Sequence, residues 1–411
     1  MGSIRRQWLV VTAVCFALVG LSFPAWGATL DPRLQSLIDS PSPDGEIPVI
    51  VTFRGGVVPM ALGDEPGKRQ PRLASLLKEG AASSQNAARD FLRSRNVAEI
   101  KDLNIINGLA FTASVDTLRE LAARTDVVAM SYDELLYPPE IVPALTVGPA
   151  ESNISLIRAP ELWNLGYAGQ GIVVATMDTG VDIDHPDLGS RWRGGNNSWF
   201  DPNGEHPTPA DVDGHGTAVM GLILGGDDDG SYIGVAPEAR WIAVKIFNDA
   251  GAAPTSAILQ GFDWLLDPDG NPATDDAPHV VNNSWGFEEV PGVCDQSVLH
   301  LRDAVALLKA AGIAVLFPAG NTGPDPFTSV APASYPQSFA VGSAGTMTSS
   351  TTVSDFSGRG PSACDGTIYP ELVAPGFYVK TTGLTADGSY YYVLPAPPLP
   401  FPMRRGPWRY S

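Results

Sequence analysis

The spacing of apolar residues changes several times along the chain, and each change marks a different kind of segment. Trp8 to Phe23 is a nearly unbroken apolar run, preceded by Arg5 and Arg6 and stopped by Pro24. "EIPVIVTF", beginning at Glu46, is β-branched and apolar and runs into the Gly55-Gly56 turn, which predicts a strand. Between Arg72 and Asn96, positions Leu73, Leu76, Leu77, Ala81, Ala88, Phe91 and Leu92 follow helical spacing with one apolar face. Residues 100–115 read as two strands about a turn at Asn107-Gly108, residues 115–125 as a second helix and residues 127–134 as a last strand. Strand, helix, strand, strand, helix, strand is the split βαβ order of a small α+β domain, predicted here over residues 31–133. The proline-containing stretch after it, residues 134–152, predicts an exposed linker.

From residue 153 the rhythm becomes that of an α/β sheet. "GIVVATMD", "WIAVKIF", "HVVNNSWG", "GIAVLFPAG" and "SFAVGSAG" are short apolar runs of the kind buried on both faces in parallel strands. Between them, residues 217–225, 255–266 and 297–312 have helical periodicity. Functional groups of such sheets collect at the carboxyl ends of the strands, and the polar residues of this region lie there. After Leu394 the pattern stops: "PAPPLPFPMRRGPWRYS" has no period at all.

Composition refines the picture. The 411 residues suffice for two or three domains, and 44% hydrophobic content supports a real core. A net charge of −19 offers nothing to neutralise a run of phosphates, which excludes nucleic acid as a partner class. The first apolar run is short for a membrane span of about 20 residues. With its basic start and the small residues Ala25 and Gly27 at the cleavage positions, it predicts that residues 1–27 are a signal peptide. The mature chain is therefore expected to be secreted and free of the membrane. Of three cysteines, Cys15 leaves with the signal; Cys294 and Cys364 remain as a candidate disulfide pair in an oxidising compartment.

Three polar motifs carry the candidate chemistry. Asp178 ends a buried strand before Thr179-Gly180, where a carboxylate needs a hydrogen-bonded partner. His215 lies between two glycines at the head of an apolar helix, placing its ring in a cleft. His185, in "DHPDL", is its rival but sits in a proline-containing loop and reads as structural; His206 and His300 sit in polar or helical surface contexts, and His279 precedes a strand. Asn321 follows the strand "GIAVLFPAG" and brings a neutral amide donor to the same sheet edge, as oxyanion stabilisation requires.

Asp-Thr-Gly, His-Gly-Thr, "NNSWG" and "AGNTGP", in that order, resemble the subtilisin family of serine proteases, most closely its secreted bacterial members of bacillopeptidase type. The resemblance runs from about Ile154 to Val393 and includes "FSGRGPS" and "PELVAPG". It implies a subtilisin-like, doubly wound and mostly parallel α/β peptidase domain over residues 153–393, truncated at its end, preceded by an inhibitory, folding-assisting α+β (βαββαβ) propeptide. It further implies that Asp178 orients His215, that His215 is general base and then general acid, and that Asn321 donates to the oxyanion. Ser284, Trp285 and Gly286 would form an edge strand pairing with a polypeptide substrate and lining its side-chain pocket.

The nucleophile is missing where the resemblance requires it. After the "APG" stretch and the strand "GSYYYV" there should follow Gly-Thr-Ser-x-Ala-x-Pro-His, and the proline-rich tail stands there instead. Ser389 precedes a strand, not a helix, and is a poor substitute. Codons read from the third base of each residue's codon, starting at Leu394, give a different message. They are compatible with Ser-Gly-Thr-Ser-x-Ala-x-Pro-His-Ala-Ala-Gly-Ala-Val-Ala-Leu-Leu through Ser411. The tail, residues 394–411, is therefore read as the nucleophile helix translated out of frame, leaving this chain inactive as written. The contrasting class is a non-catalytic pseudoprotease that binds peptides or a partner. A triad needs no cofactor; a structural calcium ion is an open expectation with no site assigned. The acidic stretch Asp267–Asp276 has Pro272 where a calcium-binding EF-hand loop has its glycine and reads as a solvated loop.

Overall fold

The computed structural model describes residues 28–40, 45–55, 69–139, 152–228, 230, 232–294, 299–346, 349–388 and 390–394. The predicted signal segment, linker residues 140–151, Ser389 and the tail from residue 395 lie outside them.

The first unit consists of β1 (Thr29–Leu30), α1 (Pro32–Asp39), β2 (Glu46–Phe53), α2 (Arg69–Ser94), β3 (Lys101–Leu103), β4 (Gly108–Ser114), α3 (Val115–Ala122) and β5 (Val127–Tyr132). Its sheet has the order β1-β5-β2-β4-β3, the split arrangement that the hydrophobic pattern predicts, with β1 added at one edge. β1 and α1 are too short to show a period in the sequence. Asp31 holds them: its carboxylate accepts from the backbone N–H groups of Arg33 and Leu34 at the helix start and from Tyr132 on β5.

The second unit contains, in chain order, α4 (Ser152–Leu156), α5 (Ala159–Asn164), β6 (Val173–Asp178), α6 (Pro186–Gly189), β7 (Trp199–Phe200), α7 (His215–Leu224), β8 (Arg240–Lys245), β9 (Ala253–Pro254) and α8 (Thr255–Leu266). It continues with β10 (Val280–Asn282), α9 (Leu299–Ala311), β11 (Ala314–Pro318), β12 (Phe339–Thr346), β13 (Ser349–Val353), β14 (Leu372–Pro375), β15 (Val379–Thr382) and β16 (Tyr391–Leu394). The main sheet runs β13-β12-β11-β10-β6-β8-β7, with β14 also paired to β12. All its pairings are parallel except β12 with β13. Trp241, Ile242, Ala243 and Val244 on β8 are all buried, as a strand covered on both faces demands.

The start of the predicted linker is not free chain. Leu135–Leu136 pairs antiparallel with β9, and Leu136 is buried, because β9 offers open backbone groups that a passing extended segment can satisfy. The two units share a core: Ile50, Leu73, Leu77, Leu103 and Ile105 of the first pack into one cluster with Met177, Val281 and Phe317 of the second. A separate cluster, including Val174, Leu188, Met220 and Trp241, fills the other face of the main sheet.

Candidate active site

Parallel register fixes the geometry of the sheet's carboxyl edge. Thr176, Asn282 and Leu316 stand level across β6, β10 and β11. Two residues further on lie Asp178, Ser284 and Pro318, and Asn321 follows past the end of β11. Asp178, Ser284 and Asn321 therefore share one edge.

The two glycine-containing motifs bring His215 to this edge. Gly180 has φ +124°, and a Cβ there would stand 1.9 Å from the Ala210 carbonyl oxygen, so only glycine lets the chain turn away from the strand. A Cβ on Gly216 would meet the Gly180 oxygen at 2.1 Å, which shows how closely α7 approaches the end of β6. Gly216 N donates to Thr179 Oγ1 (2.8 Å), locking helix to turn. Asp211 supports the helix start by accepting from Gly214 N, Thr217 N and Thr217 Oγ1.

His215 Nδ1 then lies 2.7 Å from Asp178 Oδ1, which also accepts from Thr179 N at 2.7 Å. Asp178 is fully buried, and the His215 side chain is 12% exposed, so the ring is more enclosed than an open cleft position suggests. His215 Nε2 makes no hydrogen bond to a described residue. Burial opposes protonation of His215, but the charge and hydrogen bond of Asp178, with further help from Asp213 and Asp211, hold it above the ordinary histidine range. Asp211 and Asp213 were not singled out by sequence reasoning, although the run "DVDGHGT" places both just before the histidine.

The other expected site residues divide. Asn321 is exposed, with its backbone N–H donated to Glu288 Oε1 (2.8 Å) and its side-chain amide free of described partners. Ser284–Gly286 is not an edge strand: β10 lies between β6 and β11 and ends at Asn282, and the three residues extend beyond it. Trp285 does not line a surface pocket, because its ring is buried against Phe262 and Phe317 and its Nε1 donates to the Met177 carbonyl (2.9 Å). Alternation explains this: Ser284 and Gly286 face one way, and the intervening residue must face the core. His185 is buried in its loop, with Nδ1 accepting from Asp187 N and Nε2 beside the Tyr390 carbonyl oxygen (2.8 Å). His300 is not a plain surface histidine; its Nε2 lies 3.1 Å from Ser131 Oγ of the first unit.

Cys294 and Cys364 are joined, with Cα atoms 4.7 Å apart and a sequence separation of 70. Among the described residues two clusters could hold a cation, Glu205–His206–Asp249 and Asp267–Asp269–Asp276. The second falls on the stretch expected to be a solvated loop, but Asp267 is buried and pairs with Lys78 of α2. No described helix is long and apolar enough to cross a membrane.

Comparison with known proteins agrees with this geometry. Residues 169–393 match the subtilase family. Bacillopeptidase F of Bacillus subtilis (strain 168) is 34% identical over 350 residues, 77% of this chain but 23% of that protein's own length. The major intracellular serine protease of the same organism is 33% identical over 242 residues, covering 58% of this chain and 68% of that relative. Subtilisin E, also from Bacillus subtilis (strain 168), is 30% identical over 304 residues, covering 74% of this chain and 70% of the relative. With its mostly parallel sheet, its strand-end aspartate and its helix-initial histidine, the chain belongs to the subtilase family.

Proposed function

We propose that the gene encodes a secreted serine-type endopeptidase and that this chain is its frame-shifted product, inactive because the nucleophile is missing. The observation that carries the reading is the 2.7 Å contact between His215 Nδ1 and Asp178 Oδ1, which leaves Nε2 without a hydrogen-bond partner among the described residues. Asp178 fixes the ring and supports the imidazolium once it forms. A serine opposite Nε2 would pass its proton to that nitrogen as its oxygen attacks the peptide carbonyl, and His215 would return the proton to the departing amine. Asn321 would donate its amide N–H to the oxyanion of the tetrahedral intermediate. Loss of the serine from such a unit costs about 10⁶ in kcat.

Residues 1–27 act as the export signal, residues 31–133 as an inhibitory propeptide, and residues 134–152 contain the cleavage region. The shared core between the two units supports an intramolecular inhibitor. Catalysis needs no cofactor, substrates are polypeptides, and a structural calcium ion would be accessory.

Sequencing the genomic region around codon 393 and expressing the frame-restored gene tests this reading. The restored product should hydrolyse peptides and take up a serine-directed phosphonate, whereas the chain as it stands should do neither. A folded but inert restored product would refute the assignment, and activity in the unrestored chain would refute the missing-nucleophile reading.

A further inference from the structure

Glu288 stands just beyond the Ser284–Gly286 segment and has no part in the triad chemistry. Its Oε1 accepts the Asn321 backbone N–H at 2.8 Å. The same oxygen would lie 3.4 Å from a Cβ placed on Gly320. One carboxylate thus bridges the segment after β10 and the segment after β11. Val330 fills the space behind both: a Cβ on Gly286 would meet its Cγ2 at 3.5 Å, and one on Gly320 would meet the same atom at 2.8 Å.

Glu288 Oε2 accepts no hydrogen bond from a described residue, and the side chain is only partly exposed. Desolvation, opposed by the Asn321 N–H and reinforced by neighbouring Glu289, raises its pKa. Glu288 Oε2 is not among the buried polar atoms left without a partner, and a cation brought beside this partly desolvated carboxylate would offset its desolvation.

The position of Glu288 gains meaning from the peptidase reading, on which this inference rests. A substrate carbonyl held by the Asn321 amide, with its backbone along Ser284–Gly286, sends the side chain before the scissile bond between these two segments. That is where Glu288 sits. We propose that Glu288 makes the cleft select peptides with arginine or lysine immediately before the scissile bond. Oε1 remains on Asn321 N, and Oε2 receives the substrate's guanidinium or ammonium group.

The test uses the full-length, frame-restored gene product and peptide anilides that differ only in that residue, arginine against phenylalanine. The expected kcat/KM ratio favours arginine by about tenfold or more, the range for a partly desolvated charge pair. Glu288→Gln keeps an acceptor for Asn321 N but removes the charge, so the ratio should collapse towards one or below. Glu289→Gln, a neighbour on the exposed side, should leave the ratio in place. The arginine preference should also fade as pH falls and Glu288 protonates, and weaken with added salt. An active enzyme with no preference for arginine, or one whose preference survives Glu288→Gln, overturns the role of Glu288 alone. An inert, folded product overturns the peptidase reading and takes this inference with it.

Discussion

His215 lies within the field of three carboxylates, and only Asp178 touches its ring. Asp213 Oδ1 accepts the His215 backbone N–H at 3.2 Å, and Asp211 lies at the helix start. A general base must be neutral to accept a proton, so the rate should fall as pH drops through the raised pKa of His215. Replacing Asp213 with Asn removes one negative charge that favours the imidazolium. The expected result in the frame-restored enzyme is an acid limb of the kcat/KM profile displaced to lower pH; a displacement upward, or none, contradicts this electrostatic account. Asp178→Asn should instead lower kcat by about 10³–10⁴, because the ring loses the acceptor that fixes its tautomer. Asn321→Ala should cost about 10²–10³ in kcat with little change in KM. His185→Ala should be mild by comparison and act on stability, since its nitrogens are engaged within its own loop and against Tyr390.

Among the elements, α8 shows most directly how the two units are matched. Its N-terminal turn has backbone N–H groups without partners in the helix, and Asp133 of the first unit caps it, accepting from Ser256 N (2.8 Å) and Ser256 Oγ (2.6 Å). Asp133→Ala should weaken association of the separated units by about 1 kcal/mol, roughly fivefold in Kd, measured by titrating one unit into the other. The Cys294–Cys364 bridge works on a different element boundary, tying the segment after β10 to the segment before β14. Under denaturing, non-reducing conditions a thiol probe should label neither cysteine, and reduction should lower stability by about 2–4 kcal/mol. Labelling of both without reductant would remove the bridge.

For the whole molecule, the decisive feature is that the first unit packs α2, β3 and the turn Asn104–Ile106 against α8 and α9 of the second. Residues 31–133 also enclose a core of their own, including Val49, Leu92, Leu109 and Leu118, so expressed separately they should fold and inhibit the frame-restored peptidase; a folded unit without inhibition at micromolar concentration would dismiss the propeptide role. The interface also carries a titratable group. Asp263 of α8 accepts the Asn104 N–H of the first unit at 2.6 Å, and burial pushes its pKa up from 3.8 to about 7. A carboxyl group whose pKa is raised in the complex favours association while protonated. Its contribution is complete below about pH 4 and is lost as pH rises through about 7. The separated units should bind about 10–10²-fold more weakly at pH 7.5 than Asp263→Asn binds, with the difference vanishing near pH 4. Equal affinities at both pH values would show that Asp263 is not titrating in the interface.

The alternating segments of residues 153–393 were legible because buried parallel strands and amphipathic helices each impose a period on their own residues. The helix at 255–266 was readable to its ends, since its apolar face is continuous. Asp178, His215 and Asn321 could be nominated because a polar side chain beside glycine, next to a buried strand or helix, is costly to keep there without a partner or a task. The proposed out-of-frame reading of residues 394–411 comes from codons alone and owes nothing to packing. Contacts between segments distant in the chain left no such trace. Nothing local told that Trp285 would turn into the core, that Leu135–Leu136 would join β9, or that Lys78 would reach Asp267. Those outcomes depend on which faces meet after the chain has folded. Local periodicity determined the elements, and the motifs with their resemblance to the subtilisin family nominated the chemistry; tertiary structure decided which side chains are buried, which are paired, and that Glu288 accepts the Asn321 backbone N–H.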